Sequence, residues 1–187
     1  MNVFLDFEAS SLGRDSYPIE AGWVFEDGSS ESHLIRPASD WTDWSASAEA
    51  VHGITRERLL AEGEPHDWVA RRMVKVLSDH VLYASAPSWD GKWMSVLLRA
   101  SAIPRHTLKL EGTDVARREA VRAVLGERPA PDFEALSILA QVGEWKGKTP
   151  PRHRALEDAK RELRAWKLAG RIAALRRKQG RVIGSPP

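Results

Sequence analysis

The stretch Val3-Phe4-Leu5-Asp6-Phe7-Glu8 decides how the rest of the chain is read. Its apolar start suits a buried strand, and Asp6 then sets a carboxylate at a depth where charge is costly unless compensated. In an extended chain residues i and i+2 share a face, so Asp6 and Glu8 present their oxygens to one point in space. A hard divalent cation such as Mg2+ or Mn2+ suits that pair. The tripeptide itself is not diagnostic, because Asp132-Phe133-Glu134 repeats it. There it follows Pro129 and Pro131 and precedes an amphipathic run, a setting in which Asp132 serves as a helix N-cap and Glu134 favours the helix dipole.

Outward from that strand, the chain reads as β-rich first and helical later. A second strand spans Ile19 to Phe25, Glu26-Asp27-Gly28-Ser29 supplies a turn, and a third strand around His33 to Arg36 ends at Pro37, an antiparallel meander. Short helices follow over Ala46–His52 and Thr55–Ala61. A longer amphipathic helix starts at Pro65, with Trp68, Val69, Met73, Val76 and Leu77 on its apolar face. Val81–Ala84 returns as a strand and passes directly into a helix from Trp89 to Ala100. One more strand is expected between Leu108 and Val115. Punctuation at Arg128-Pro129-Ala130-Pro131 and at Lys146 to Pro151 precedes two further helices, the last from Arg154 to Lys178.

With 187 residues, 42% hydrophobic and 29% charged, the chain has the composition of one soluble globular domain over residues 1–180, with 181–187 a loose tail. The formal charge of +2 makes it mildly basic. The absence of cysteine excludes disulfides, thiolate catalysis and cysteine-bound zinc, and a reducing cytoplasm is the default location. No stretch approaches the roughly 18 apolar residues of a membrane helix, so no membrane partner is expected.

Two further acidic positions complete a pattern. Asp90 closes Ser85-Ala86-Pro87-Ser88-Trp89-Asp90, where a strand hands over to a helix. His153-Arg154-Ala155-Leu156-Glu157-Asp158 sets a histidine five residues before an aspartate at the start of the last helix. In order along the chain, Asp6, Glu8, Asp90, His153 and Asp158 resemble the motif set of the DEDDh branch of the DnaQ-like 3′-to-5′ exonucleases. Val51-His52-Gly53-Ile54-Thr55 resembles the H-G-I-T segment of that family. The middle motif departs from it, with Ala86 where many members carry an amide.

The resemblance implies an RNase H-like α/β fold: a central mixed β-sheet, its first three strands antiparallel, flanked by helices. It implies a 3′-to-5′ exonuclease that releases nucleoside 5′-monophosphates from single-stranded DNA or RNA, with Asp6, Glu8, Asp90 and Asp158 as ligands to two Mg2+ or Mn2+ ions and His153 as general base. Converging carboxylates repel and raise one another's pKa, so such a cluster makes sense with cations at its centre. Ser10, Leu12, His52 and Trp89 are the expected substrate contacts, Leu12 as a wedge against a base. Lys146 and Lys148 are placed to steer a phosphate backbone, whereas Arg171 to Arg181 reads as a solvated helix face. Trp23 and Trp68 are assigned to the core, and Trp41 and Trp44 lie beside the site loops. The alternative is a nucleic-acid-binding module of the same fold with weakened catalysis. Oligomeric state stays open, a homodimer included.

Overall fold

The computed structural model describes residues 1–126 and 132–183. The proline punctuation at 128–131 and the tail residues 184–187 lie outside the described residues. Strands β1 (Asn2–Ala9), β2 (Pro18–Phe25) and β3 (Ser30–Arg36) form the expected antiparallel meander. Helices α1 (Ala46–His52) and α2 (Arg56–Glu62) lead to a two-residue strand β4 (Glu64–Pro65), too short to show any periodicity in the sequence. Then come α3 (His66–Leu77), β5 (Val81–Ala84), α4 (Pro87–Ala100), β6 (Leu110–Gly112), α5 (Thr113–Leu125), α6 (Phe133–Lys148) and α7 (Ala155–Ile183). The last helix therefore includes residues 181–183, which the sequence assigns to the tail. The sheet order is β4-β3-β2-β1-β5-β6, with β5 parallel to β1 and β6 parallel to β5.

Alternation along β1 divides the core. Val3, Leu5 and Phe7 point into the main cluster with Val69, Met73 and Leu77 of α3 and Leu97 of α4. Phe4 points the other way, against Ala159 and Leu163 of α7 and Ala116 of α5. Burying a side chain of this size stabilises by about 1.5–3 kcal/mol. Asp6 and Glu8 keep the register of Phe4, so they face α7. Alanines let that helix come close. Ala155 and Ala159 are completely buried against the sheet, while Ala165, Ala169 and Ala173, equally buried, pack against α5 and α6. The start of α7 passes directly over Gly22, the β2 partner of Asp6, where a Cβ would lie 2.3 Å from the Leu156 nitrogen. Only glycine leaves room for the start of α7 there.

The segment 51–55 is a helix stop, an anchor and a helix start. Gly53 adopts φ 68 and donates its N–H to the Glu49 carbonyl at 2.7 Å, ending α1 in a left-handed cap. Ile54 is fully buried, and the Thr55 hydroxyl accepts the Arg58 N–H at 3.2 Å to open α2. Trp23 is core as expected, but Trp68 is 44% exposed. The buried stripe of α3 is Val69, Ala70, Met73 and Leu77, and Trp68 sits about 100° round the helix from Val69, edge-on to His33.

Candidate active site

Strand β5 pairs with β1 only as far as Phe4↔Tyr83, so β1 runs on past its neighbour. Beyond that point the Phe7 N–H donates to Asp90 Oδ1 at 3.2 Å, and the Ala86 N–H donates to Asp90 Oδ2 at 3.2 Å. Asp90 lies in the first turn of α4, which Pro87 starts two residues earlier than the sequence suggests, and it is 2% exposed. The main-chain N–H of Ala86 thus helps to orient the Asp90 carboxylate.

From the other side, the start of α7 brings His153 and Asp158. Asp158 accepts the N–H groups of Arg152 (2.8 Å) and His153 (2.9 Å), which folds the preceding loop back over the helix. His153 takes the left-handed region at φ 53, uncommon for a residue with a side chain and typically stabilised only where the surroundings impose it. Here they do. Glu20 of β2, 1% exposed, accepts Arg154 Nη2 at 2.6 Å and Nε at 3.1 Å, and also the Ala155 N–H at 2.9 Å. One buried carboxylate thereby caps α7 and clamps the residue next to His153.

Asp6, Glu8, His153 and Asp158 line one polar cavity of about 250 Å³. One ligand atom from each of Glu8, His153 and Asp158 lies within 4.8 Å of the others. Burial, followed by the charges of Asp90, Glu8, Asp158 and Glu162, pushes Asp6 well above the usual carboxylate range. Glu8 is pushed up to about 8, by burial first and then by Asp158 and Glu20, against the lowering effect of Arg154. Burial pushes Asp90 up to about 7 despite its two main-chain hydrogen bonds. A self-repelling, oxygen-rich set with one imidazole fits a hard divalent cation, whose charge would remove the repulsion.

Glu162 also lines this cavity, and the sequence reading missed it. It follows Asp158 by one helical turn, and that i+4 spacing was the available signal. Burial raises Glu162, yet its carboxyl is held below the usual range by Lys146 at 2.6 Å and by Arg117 at 2.9 Å. Lys146 is therefore spent inside the protein rather than free to steer phosphate.

Beside the acids runs an apolar groove of about 690 Å³ that includes Glu8, Leu12, Val51, His52, Trp93 and His153. Leu12 is 71% and Val51 55% exposed, so the groove presents two open apolar side chains. His52 is buried. Its Nδ1 accepts the Ile54 N–H at 3.1 Å, which places the proton on Nε2, and Nε2 is buried with no hydrogen-bond partner among the described residues. Burial lowers its pKa, so the ring is a neutral donor.

Two expected substrate contacts lie elsewhere. Ser10 is fully buried, with its hydroxyl donating to Asp43 at 2.8 Å and accepting the Tyr17 N–H at 3.1 Å. Its neighbour Ser11 lines the groove instead. Trp89 is outside the groove because Asp90, the next residue, turns inward. Trp93, on the face of Asp90 at i+3, lines the groove and stacks on Trp89 at 5.6 Å. Trp41 is core, stacked on Tyr17, and Trp44 donates to Glu49 at 2.7 Å. Of the basic C-terminal stretch, Arg171 is exposed, while Arg176 and Arg177 reach Ser137 and the Val124 carbonyl. No helix among the described residues is long and apolar enough to cross a membrane.

No family model matches the chain. No curated protein matches it either. Solved structures do. The zinc-bound complex of E. coli exonuclease I with single-stranded DNA superposes with a TM-score of 0.66 at 16% identity, over 91% of this chain and 40% of that one. A product-bound exonuclease I gives 0.62 at 18% identity, over 89% of this chain and 42% of that one. A moderately thermophilic exonuclease I from Methylocaldum szegediense gives 0.64 at 15%, over 89% of this chain and 39% of that one. At these identities the likeness is one of fold, an RNase H-like mixed sheet flanked by helices. The chain spans about two fifths of the length of these exonucleases.

Proposed function

We propose that this protein is a nuclease dependent on divalent cations, hydrolysing phosphodiester bonds from the 3′ end of single-stranded DNA or RNA and releasing nucleoside 5′-monophosphates. One observation carries the reading: Asp6, Glu8 and Asp158, distant in sequence, meet His153 around a single cavity, with Asp90 bonded to the backbone of β1 beside them. Asp6, Glu8 and Asp90 are all pushed up, by burial first. The likeness in fold to exonuclease I solved with single-stranded DNA supports it.

In this reading Asp6, Glu8, Asp90 and Asp158 hold two Mg2+ or Mn2+ ions. Such ions, when bound, supply polarisation of the phosphoryl group and neutralise charge on the leaving 3′-oxygen. The chain does the rest. His153, at the exposed rim, takes the proton of the attacking water on an imidazole nitrogen, and the Glu20–Arg154 clamp fixes the backbone beside it. Leu12 and Val51 form an apolar wall for the terminal base, which accepts any base because every base has a stacking face. His52 lines the same groove beside Val51.

Digestion of a 3′-exposed single strand tests this. Purified protein should release mononucleotides with Mg2+ or Mn2+ and stop with a chelator. Asp6→Asn should lower the rate at least about 100-fold, and His153→Ala by about 10²–10⁴-fold. Full activity in both variants would defeat the reading.

A further inference from the structure

The acid-lined cavity has two different neighbours. On one side it shares Phe7, Glu8 and His153 with the apolar groove. On the other it shares Pro151, Asp158 and Arg161 with a second cavity of about 460 Å³ between the end of α6 and the start of α7. The acids therefore lie between an apolar compartment and this second one, whose walls carry Lys148, Arg152, Arg161 and Arg164 together with Trp145.

The cations there are of two kinds. Arg161 is structural, its Nε and Nη2 donating to the carbonyls of Thr149 and Lys146 and so fixing the loop that forms the cavity wall. Lys148, Arg152 and Arg164 have exposed side chains with no carboxylate partner among the described residues. The one acid in the cavity besides Asp158 is Glu157, which is paired with Lys160 at 3.2 Å. Three unpaired cations and an indole around a concave surface next to a phosphodiester-cleaving centre form an electrostatic and stacking platform for a nucleotide.

We propose that this cavity is the subsite for the nucleotide immediately 5′ to the scissile bond, with Lys148, Arg152 and Arg164 taking its backbone phosphate and Trp145 supplying a face for its base. The inference rests on the nuclease reading and deepens it. The strand then runs in one direction through the molecule. The terminal nucleoside, which has no phosphate beyond it, occupies the apolar groove. The scissile phosphate sits at the acids, and the next phosphate meets the basic wall. Lys148 and Arg164 lie outside the acid cluster, so their removal should weaken binding of the strand while leaving the chemical step intact.

The test compares two substrates with wild type and Lys148→Ala/Arg164→Ala. One is a single-stranded 12-mer. The other is the p-nitrophenyl ester of thymidine 5′-monophosphate, whose leaving group carries no second phosphate. The double variant should raise KM for the oligonucleotide about threefold to tenfold, with kcat within about twofold, and leave hydrolysis of the ester unchanged. The slope of log(kcat/KM) against log salt for the oligonucleotide should fall by about 0.7 for each phosphate that the variant no longer neutralises. A charge-reversed Lys148→Glu/Arg164→Glu protein should enlarge the KM effect while keeping the wild-type melting temperature. An unchanged KM for the oligonucleotide, or equal losses on both substrates, would overturn the subsite while leaving the nuclease reading standing. A wild type that cleaves neither substrate would overturn both.

Discussion

Asp-Phe-Glu occurs twice in this chain, and the two copies share nothing beyond their letters. In the first, on β1, Phe7 is core, Asp6 and Glu8 face the start of α7, and both carboxyl groups are pushed up by burial and by other acids. In the second, at the start of α6, Asp132 accepts the Ala135 N–H at 3.0 Å and Phe133 is 76% exposed. A strand with period two aims both acids at one point, whereas a helix start turns successive side chains about 100° apart and uses the first as a cap. Context makes one copy costly and the other routine. A costly copy persists where something offsets it, and a cation is the compensation the donor set fits.

The largest expected contrast is catalytic. Asp6→Asn should cut mononucleotide release to about 1% of the wild-type rate or less, while Asp132→Asn, which keeps a capping oxygen, should leave kcat/KM unchanged in the same assay.

Next in size is the packing that brings α7 to the first copy. Gly22→Ala would drive a Cβ into the Leu156 backbone, so chemical denaturation should show a loss of about 1–3 kcal/mol or more, together with loss of activity as His153 and Asp158 move. His153→Gly should separate strain from chemistry. Glycine tolerates the left-handed backbone, so the melting temperature should hold or rise while activity falls by about 10²–10⁴-fold.

A subtler contrast lies in pH. Asp6, Glu8 and Asp90 have folded-state pKa values raised above the unfolded ones, so their contribution to stability is complete below about pH 4 and is lost as pH rises through about 7 for Asp90 and about 8 for Glu8. Without divalent cations, the melting temperature measured by calorimetry should therefore fall between about pH 4 and pH 8 more steeply than in Asp6→Asn. Millimolar Mg2+ should flatten the fall, because the cation favours the ionised carboxylates. The smallest effect belongs to the second copy, where Asp132→Ala should cost about 1 kcal/mol in denaturation and nothing in activity.

Much of this was legible in the sequence. Alternation and turn residues announced the meander, and Thr55 marked a helix start through local chemistry that does not depend on the rest of the fold. The order of Asp6, Glu8, Asp90, His153 and Asp158 was visible, although only the folded chain brings Asp6, Glu8, His153 and Asp158 to one cavity, with Asp90 bonded to the backbone of β1. What escaped was set by tertiary direction. Trp68 and Trp89 each missed the expected surface because a neighbour, Val69 or Asp90, claimed the inward position. Lys146 looked available until Glu162 appeared beside it. Ser10 looked like a donor until Asp43 and Tyr17 took both of its hydrogen-bonding roles. Glu20, 134 positions from Arg154 in the chain, gave no local sign that it clamps the loop of His153.

The most direct test of the central claim is calorimetric titration of Mn2+ into wild-type, Asp6→Asn and Asp132→Asn proteins at matched pH. The account predicts saturable binding in wild type and Asp132→Asn, with proton release that makes the measured heat vary with the buffer's ionisation enthalpy, and weakening of at least about tenfold in Asp6→Asn. Equal Mn2+ affinity in all three proteins would contradict it.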